Sequence, residues 1–331
     1  MEDEELSTGL NLGITTSYPI KLGVYMASTA DKYNLGSIWI RDGMDDPRDI
    51  YTYASLVLTS SKRVAAGIEA SPFHYNISTI ARSSATLVEL HGERLKLGLG
   101  VGELGIAGIT GVTPTHVMDG LRDAVGALRV IFKGGAVSLD TPYFKLDGYS
   151  LWSSFRIPIY LWVRNPGFLR SAFNVADGVI LSGPKPFLEE ASRLFRDVEI
   201  SRSLKLLGWI PTAVLYEKES DIPDSAAEVV AAAAADTPNG VLEASGIDLG
   251  KVELVRRGLL LRRWDRVVKL VDEELMDLFL FHGPPADLIK RLLGWARRNG
   301  MDEVVLGPPY GLDPEKSIGE AVSAWMDSNS P

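Results

Sequence analysis

The sequence contains no cysteine. That absence removes disulfides, thiolate nucleophiles, iron–sulfur clusters and cysteine-ligated zinc together. Histidine is nearly as scarce: His74, His91, His116 and His282 stand far apart and form no metal-binding spacing, so no metal is expected. Long apolar runs are missing as well, since nothing approaches the ~18 residues that indicate a membrane span. The opening Met1-Glu2-Asp3-Glu4-Glu5 is acidic, the wrong sign for a signal peptide. A cytoplasmic protein without membrane association is therefore expected. Basic excess is also lacking. The formal net charge of -9 argues against a nucleic-acid partner, whose footprint would be positive. What is present is a chain of 331 residues, 46% hydrophobic and 23% charged, enough to bury the large core of a soluble enzyme.

Along the chain, strand and helix alternate. Strands are predicted at Leu10–Ile14, Ser37–Arg41, Val64–Ile68, Leu95–Gly100, Ile159–Val163, Gly178–Leu181, within Leu206–Leu215, and at Glu303–Leu306. Helices are predicted from Pro19 to about Tyr33, over Asp49–Leu58 and Asn76–Glu89, from about Thr115 to Phe132, and over Asp313–Met326. Between Ala136 and Leu146 two short runs flank Asp140-Thr141-Pro142 and read as a small hairpin. Residues 226–281 read as helical throughout, interrupted at Thr237-Pro238-Asn239-Gly240. Eight strands, each followed by a helix, is the count of a (β/α)8 barrel. The expected architecture is one such domain over residues 1–331, with a helical insertion at about 224–282 between strands seven and eight. An open doubly wound sheet is the alternative.

In such a barrel the residues after each strand converge on one face and carry the chemistry. Here they are Thr15, Asp42, the Gly67-Ile68-Glu69 turn, Glu103, Arg164-Asn165, Ser182-Gly183 and Gly307-Pro308. Asp42 and Glu103 are the candidate acids. Asp42 could equally cap the following helix, as Asp often does, whereas Glu103 is a poor cap type and its helix is distant. Gly100-Val101-Gly102-Glu103-Leu104-Gly105 matches the dinucleotide fingerprint, but no helix opens on its third glycine, so it reads as a ligand loop. Arg164 and Asn165 precede a helix start at Pro166 and would favour an anionic group. His74 is the one histidine near the presumed site. Trp39 and Trp162 could line a ring pocket but, as strand residues, read as core. Arg256, Arg257, Arg262, Arg263 and Arg266 read as a solvated helix face.

The run Thr86-Leu87-Val88-Glu89-Leu90-His91-Gly92-Glu93-Arg94, followed by Gly98-Leu99-Gly100-Val101-Gly102-Glu103, resembles the luciferase-like flavin and deazaflavin barrel superfamily, as does Ala176-Asp177-Gly178-Val179. Leu270–Met276, Gly283-Pro284-Pro285 and Val304–Lys316 are similar to the archaeal coenzyme F-420-dependent methylenetetrahydromethanopterin reductases within it. The resemblance implies an oxidoreductase of one-carbon metabolism that binds the deazaflavin coenzyme F-420 at the strand C-terminal face. It implies hydride transfer to a small pterin-like substrate and a homo-oligomeric assembly. Catalysis would fall to Glu103 and Asp42, and cofactor binding to Gly67, Ile68, Glu69, Gly100, Gly102, Arg164, Asn165, Ser182 and Gly183. A non-prolyl cis peptide at Gly67-Ile68 or Ile68-Glu69 would back the ring. Three departures fall at the pocket: Thr15 replaces an acid, Gly43 follows Asp42 where the reductases have histidine, and Trp162, Arg164 and Asn165 replace smaller residues. An FMN-dependent monooxygenase and a non-catalytic ligand-binding relative are the alternative readings.

Overall fold

A computed structural model describes residues 8–42, 48–102, 117–173, 175–197, 204–216 and 223–329. Among them the elements run β1 (Gly9–Thr15), α1 (Ile20–Lys32), β2 (Ser37–Arg41), α2 (Ile50–Thr59), β3 (Ala65–Ala70), α3 (Ile77–His91), β4 (Leu95–Leu99) and α4 (Val117–Phe132). The antiparallel pair β5 (Val137–Asp140) and β6 (Lys145–Tyr149) follows. Next come β7 (Ile159–Val163), α5 (Pro166–Ala172), β8 (Gly178–Leu181), α6 (Lys185–Asp197) and β9 (Lys205–Val214). Five short helices then intervene: α7 (Asp224–Asp236), α8 (Asn239–Ala244), α9 (Leu249–Leu260), α10 (Trp264–Val267) and α11 (Glu273–Phe279). The chain ends with β10 (Phe281–Gly283), α12 (Pro285–Arg298), β11 (Glu303–Tyr310) and α13 (Pro314–Asn329). With β1–β4, β7–β9 and β11 as its eight parallel strands, the fold is a (β/α)8 barrel.

The chain groups into two compact units. One comprises Ile14–Asp31 and Ser37–Ile180, the other Met1–Gly13, Lys32–Gly36 and Leu181–Pro331. In the first, parallel register sorts side chains onto two faces. Ile40, Ile68, Leu97 and Ile159 lie in one row. With Ile38, Ala66, Leu95, Leu99 and Leu161 they form an aliphatic face no more than 1% exposed, against which α2, α3 and α5 pack. The opposite face carries Trp39, Arg41, Gly67, Glu69, Lys96, Gly98, Tyr160 and Trp162. It is packed by alternating the largest residues with the smallest. A Cβ on Gly67 would lie 2.3 Å from the Trp39 indole, and one on Gly98 would lie 2.6 Å from Trp162 Nε1. Each glycine is there because a neighbouring indole fills the space a side chain would need.

The second unit repeats the device. Here β1 pairs with β11, β11 with β9 and β9 with β10, all in parallel. Trp209 takes the space beside both Gly13 and Gly307, where added Cβ atoms would come within 2.6 and 2.8 Å of the indole. The Tyr310 hydroxyl donates to Leu306 O at 2.6 Å and to Gly13 O. The helical insertion packs with Ala213 of β9, burying Ala226, Val230, Ala234, Leu242, Val252, Leu275, Met276 and Phe279 together. Small alanines on α7 let the other helices approach it closely.

Four expectations need correction. The third strand does not end at Ile68; it runs to Ala70, in register with β2 through Ile68 and with β4 through Ala70, so Gly67-Ile68-Glu69 is strand, not turn. The cis peptide expected there is absent, because the ladder bonds on both sides hold an extended trans backbone. Among the described residues the cis bond is Pro308–Pro309. The insertion ends in strand β10 rather than in helix. Arg256 also departs from its solvated reading: its guanidinium bonds Ala235 O, Thr237 O and Asn239 Oδ1, fastening α9 to the end of α7.

Candidate active site

The C-terminal ends of β2, β3 and β4 gather the polar groups of the first unit. Arg41, the last residue of β2, and Glu69, near the end of β3, are each 7% exposed and paired at 2.5 Å. The Arg41 guanidinium also lies 4.7 Å from the Trp162 ring centroid, a cation–π contact. A buried pair of this kind offsets its own desolvation only with good geometry, which the stacked indole and the direct Nε–Oε2 contact supply. Glu69 Oε1 sits where a side chain on Gly100 would go, 2.8 Å from that position. Gly100 is thus fixed by Glu69 on one side and by Trp162 on the other.

Asp42 follows directly. It does not cap the next helix; Asp49 does, accepting from Thr52 N at 2.7 Å. Asp42 instead accepts a hydrogen bond from the Tyr75 hydroxyl at 2.7 Å. Burial pushes its carboxyl up to about 6; the Tyr75 bond and Arg41 oppose the rise, and Glu69 and Asp49 add to it. An aspartic acid that is partly protonated near neutrality is a competent proton donor. Behind it, Tyr75 and Tyr51 meet edge to face at 6.0 Å. Burial raises the pKa of both phenols, so both stay neutral donors.

The loop after β3 builds the rest of the rim. His74 N and Tyr75 N bond Ser71 O, and Ser71 Oγ donates to Val101 O at 2.9 Å, tying this turn to the end of β4. Both ring nitrogens of His74 are buried and have no hydrogen-bond partner, and burial lowers the imidazole pKa. Tyr51 Oη and Trp39 Nε1 are likewise buried and unpartnered. Gly102, at φ 86°, lies against His74: a Cβ there would come within 3.0 Å of the ring. A cavity of about 210 Å³ separates residues 72–77 from the hairpin residues 143–146.

Of the expected site residues, the structure brings together Asp42, Glu69, Gly100 and Gly102. Gly67 lies deeper, beneath the Trp39 indole, and Ile68 is fully buried on the helix-facing side; both serve packing. Arg164 is half-buried after β7. Asn165 is the N-cap of α5, its Oδ1 accepting from Gly167 N at 2.8 Å. Ser182 and Gly183 belong to the other unit, where Ser182 is buried and Gly183 abuts Phe187. Glu103 lies outside the described residues. Sequence reasoning missed Arg41, Tyr75 and Tyr51. For Arg41 a signal existed, since Ser37, Trp39 and Arg41 alternate onto one face of β2. Tyr75 and Tyr51 gave none. Among the described residues no group of three acids or histidines is placed to hold a metal ion, and no helix is long and apolar enough to cross a membrane.

Comparison with known proteins places this geometry. The chain is 28% identical over 305 residues to the 5,10-methylenetetrahydromethanopterin reductase of Archaeoglobus fulgidus, covering 89% of this chain and 91% of that one. It is 27% identical over 317 residues to the enzyme of the same name from Methanolobus tindarius, covering 91% and 94%. The solved coenzyme F-420-dependent tetrahydromethanopterin reductase of Methanopyrus kandleri superposes with a TM-score of 0.83 at 19% identity, over 98% of this chain and all of that one. A family model described as luciferase-like monooxygenase matches residues 7–303. This chain belongs to the luciferase-like monooxygenase family.

Proposed function

We propose that this protein is a coenzyme F-420-dependent oxidoreductase that reduces a methylene carbon held between nitrogens on a pterin-like substrate. The observation that carries the reading is the buried, readily protonated Asp42 at the C-terminal end of β2. Reducing such a carbon requires a hydride at carbon and a proton at the nitrogen whose bond to that carbon breaks. Coenzyme F-420, when bound, supplies the hydride. Asp42 supplies the proton, and the loss of that proton leaves a carboxylate steadied by Tyr75 and Arg41.

The residues present fit a polar-edged ring at the rim and not beneath it. The unpartnered nitrogens of His74 and the Tyr51 hydroxyl need hydrogen-bond partners that a bound ring system would provide. Beside Gly100 and Gly102 the neighbours include the polar Glu69, Ser71 and His74, whereas the space beside Gly67 and Gly98 is filled with indole. Arg164 is the candidate for an anionic group of the coenzyme. Glu103, expected from the sequence as the first acid, stays a candidate donor alongside Asp42. A cytoplasmic, homo-oligomeric enzyme acting in one-carbon metabolism, its two compact units forming one domain, completes the reading. The relatives' names and the coverage of nearly the whole chain support the reductase reading.

Titration of the purified protein with coenzyme F-420 and with FMN, followed by absorbance, is the test. Tighter binding of the deazaflavin, with hydride exchange to a methylene pterin under anaerobic conditions, is the expected result. Preference for FMN with oxygen consumption would establish the monooxygenase reading instead, and binding of neither would leave a non-catalytic relative.

A further inference from the structure

We propose that Tyr75 is the positioning residue that assigns the transferable proton of Asp42 to one particular oxygen, Oδ1. The inference rests on the reading of Asp42 as the proton donor and deepens it. The Tyr75 hydroxyl donates to Asp42 Oδ2 at 2.7 Å. A carboxyl oxygen that accepts this bond cannot also point a proton of its own along the same line. When Asp42 is protonated, its proton therefore sits on Oδ1. When Asp42 has given that proton up, the same hydroxyl stabilises the carboxylate at Oδ2. One contact thus orients the acid before transfer and supports its conjugate base afterwards.

The hydroxyl has little freedom to do otherwise. Tyr75 is anchored through its backbone to Ser71, which is itself bonded to the end of β4. The next residue, Asn76, is the N-cap of α3, accepting from Ser78 N at 2.9 Å. The ring is held edge-on by Tyr51 at 85°. The groups that bear on Asp42 from the neighbouring elements are Arg41 on β2, Glu69 on β3, Asp49 at the start of α2, and Tyr75 itself in the loop after β3. Tyr51 on α2 backs Tyr75. Among these, Tyr75 is the neutral donor in contact with the carboxyl, so its removal leaves the surrounding charges in place and isolates the hydrogen bond.

The experiment follows the Asp42 carboxyl directly, by carbon NMR of protein labelled at the aspartate side-chain carboxyl, with Asp42→Asn identifying the resonance. Tyr75→Phe removes the bond that favours the ionised form, so the titration midpoint should rise by about one pH unit, roughly tenfold in proton affinity. In parallel, kcat with a methylene pterin should fall about tenfold with KM little changed, and the alkaline limb of the rate profile should move up with the carboxyl. Site-specific 3-fluorotyrosine at position 75, which keeps the ring and strengthens the donor, should move the midpoint down. It is decisive should Tyr75→Phe fold poorly. Tyr149→Phe, which deletes a hydroxyl bonded to Ser78 O in the same unit, should leave the Asp42 midpoint unmoved. An Asp42 midpoint indifferent to both changes at position 75, with any loss of rate tracking loss of stability, overturns the proposal. A midpoint that moves while the rate profile does not supports the Tyr75 contact and overturns the reading of Asp42 as the donor.

Discussion

The surroundings of Trp209 in one unit and of Trp39 and Trp162 in the other are built by the same rule and end differently. In both, an indole occupies space that neighbouring glycines vacate. Around Trp209 the nearby polar groups find partners within the protein: Tyr310 bonds Gly13 O and Leu306 O, and Thr212 Oγ1 bonds Gly307 O at 3.1 Å. Around Trp39 and Trp162 only some do: Arg41 pairs with Glu69 and Tyr75 with Asp42. His74 and Tyr51 hold buried atoms without partners, and Asp42 is kept from ionising freely. The first region is finished by folding alone. The second is left with unsatisfied hydrogen-bonding capacity, which costs stability and is the signature of a place meant for something else.

The largest effect that would sharpen this contrast is on turnover. Asp42→Asn should lower kcat by roughly two to four powers of ten while coenzyme affinity holds. Glu103→Gln, assayed beside it, decides between the two acids; the greater loss marks the donor.

Arg41→Met should cost about 3–5 kcal/mol in unfolding free energy, because it strands Glu69 as an uncompensated buried charge. Chemical denaturation measures it, and a loss below about 1 kcal/mol would mean that Glu69 finds another partner or takes up a proton.

The same Asp42→Asn variant should be more stable than the parent at pH 7. The folded carboxyl titrates near 6 against an ordinary 3.8. Between those values the unfolded chain releases its proton first, so stability falls as pH rises through the window and the full penalty stands above 6. That penalty is on the order of 3 kcal/mol, and the variant should lose the pH slope between about 4 and 6. An unchanged slope would show that Asp42 is not the group responsible.

Gly67→Ala should destabilise by about 1–3 kcal/mol through the Trp39 clash, with Gly13→Ala doing the same against Trp209. Gly126→Ala on α4, where a Cβ meets nothing within 4 Å, should instead stabilise by about 1 kcal/mol. If Gly67→Ala folds normally yet loses coenzyme, the ring lies deeper than the rim. The smallest effect concerns the domain reading: one calorimetric transition is expected for the whole chain, and two separable transitions would divide it.

How much was legible in advance depended on whether the signal was local. Predicted and observed bounds coincide at Ser37–Arg41, Ile159–Val163 and Gly178–Leu181, because each is a short apolar run between turn residues. Asp49 and Asn76 announced their helices as capping types do. The third strand is predicted two residues short, ending at Ile68 rather than Ala70, because a glycine in an apolar run reads as punctuation. The glycine's real cause, the Trp39 indole on β2, lies 28 residues away.

The sequence by itself determined the strand–helix rhythm, the (β/α)8 count, the helical insertion and Asp42 as a residue beyond the second strand. Those follow from hydrophobic periodicity and turn chemistry, which act over a few residues. Only the tertiary structure decided that Glu69 is spent on Arg41, that Asn165 is spent on a cap, and that Tyr75 reaches back 33 residues to Asp42. A carboxyl's proton affinity depends on what folding places within a few ångströms of it and on how much water folding removes. Neither quantity exists until the strands stand side by side.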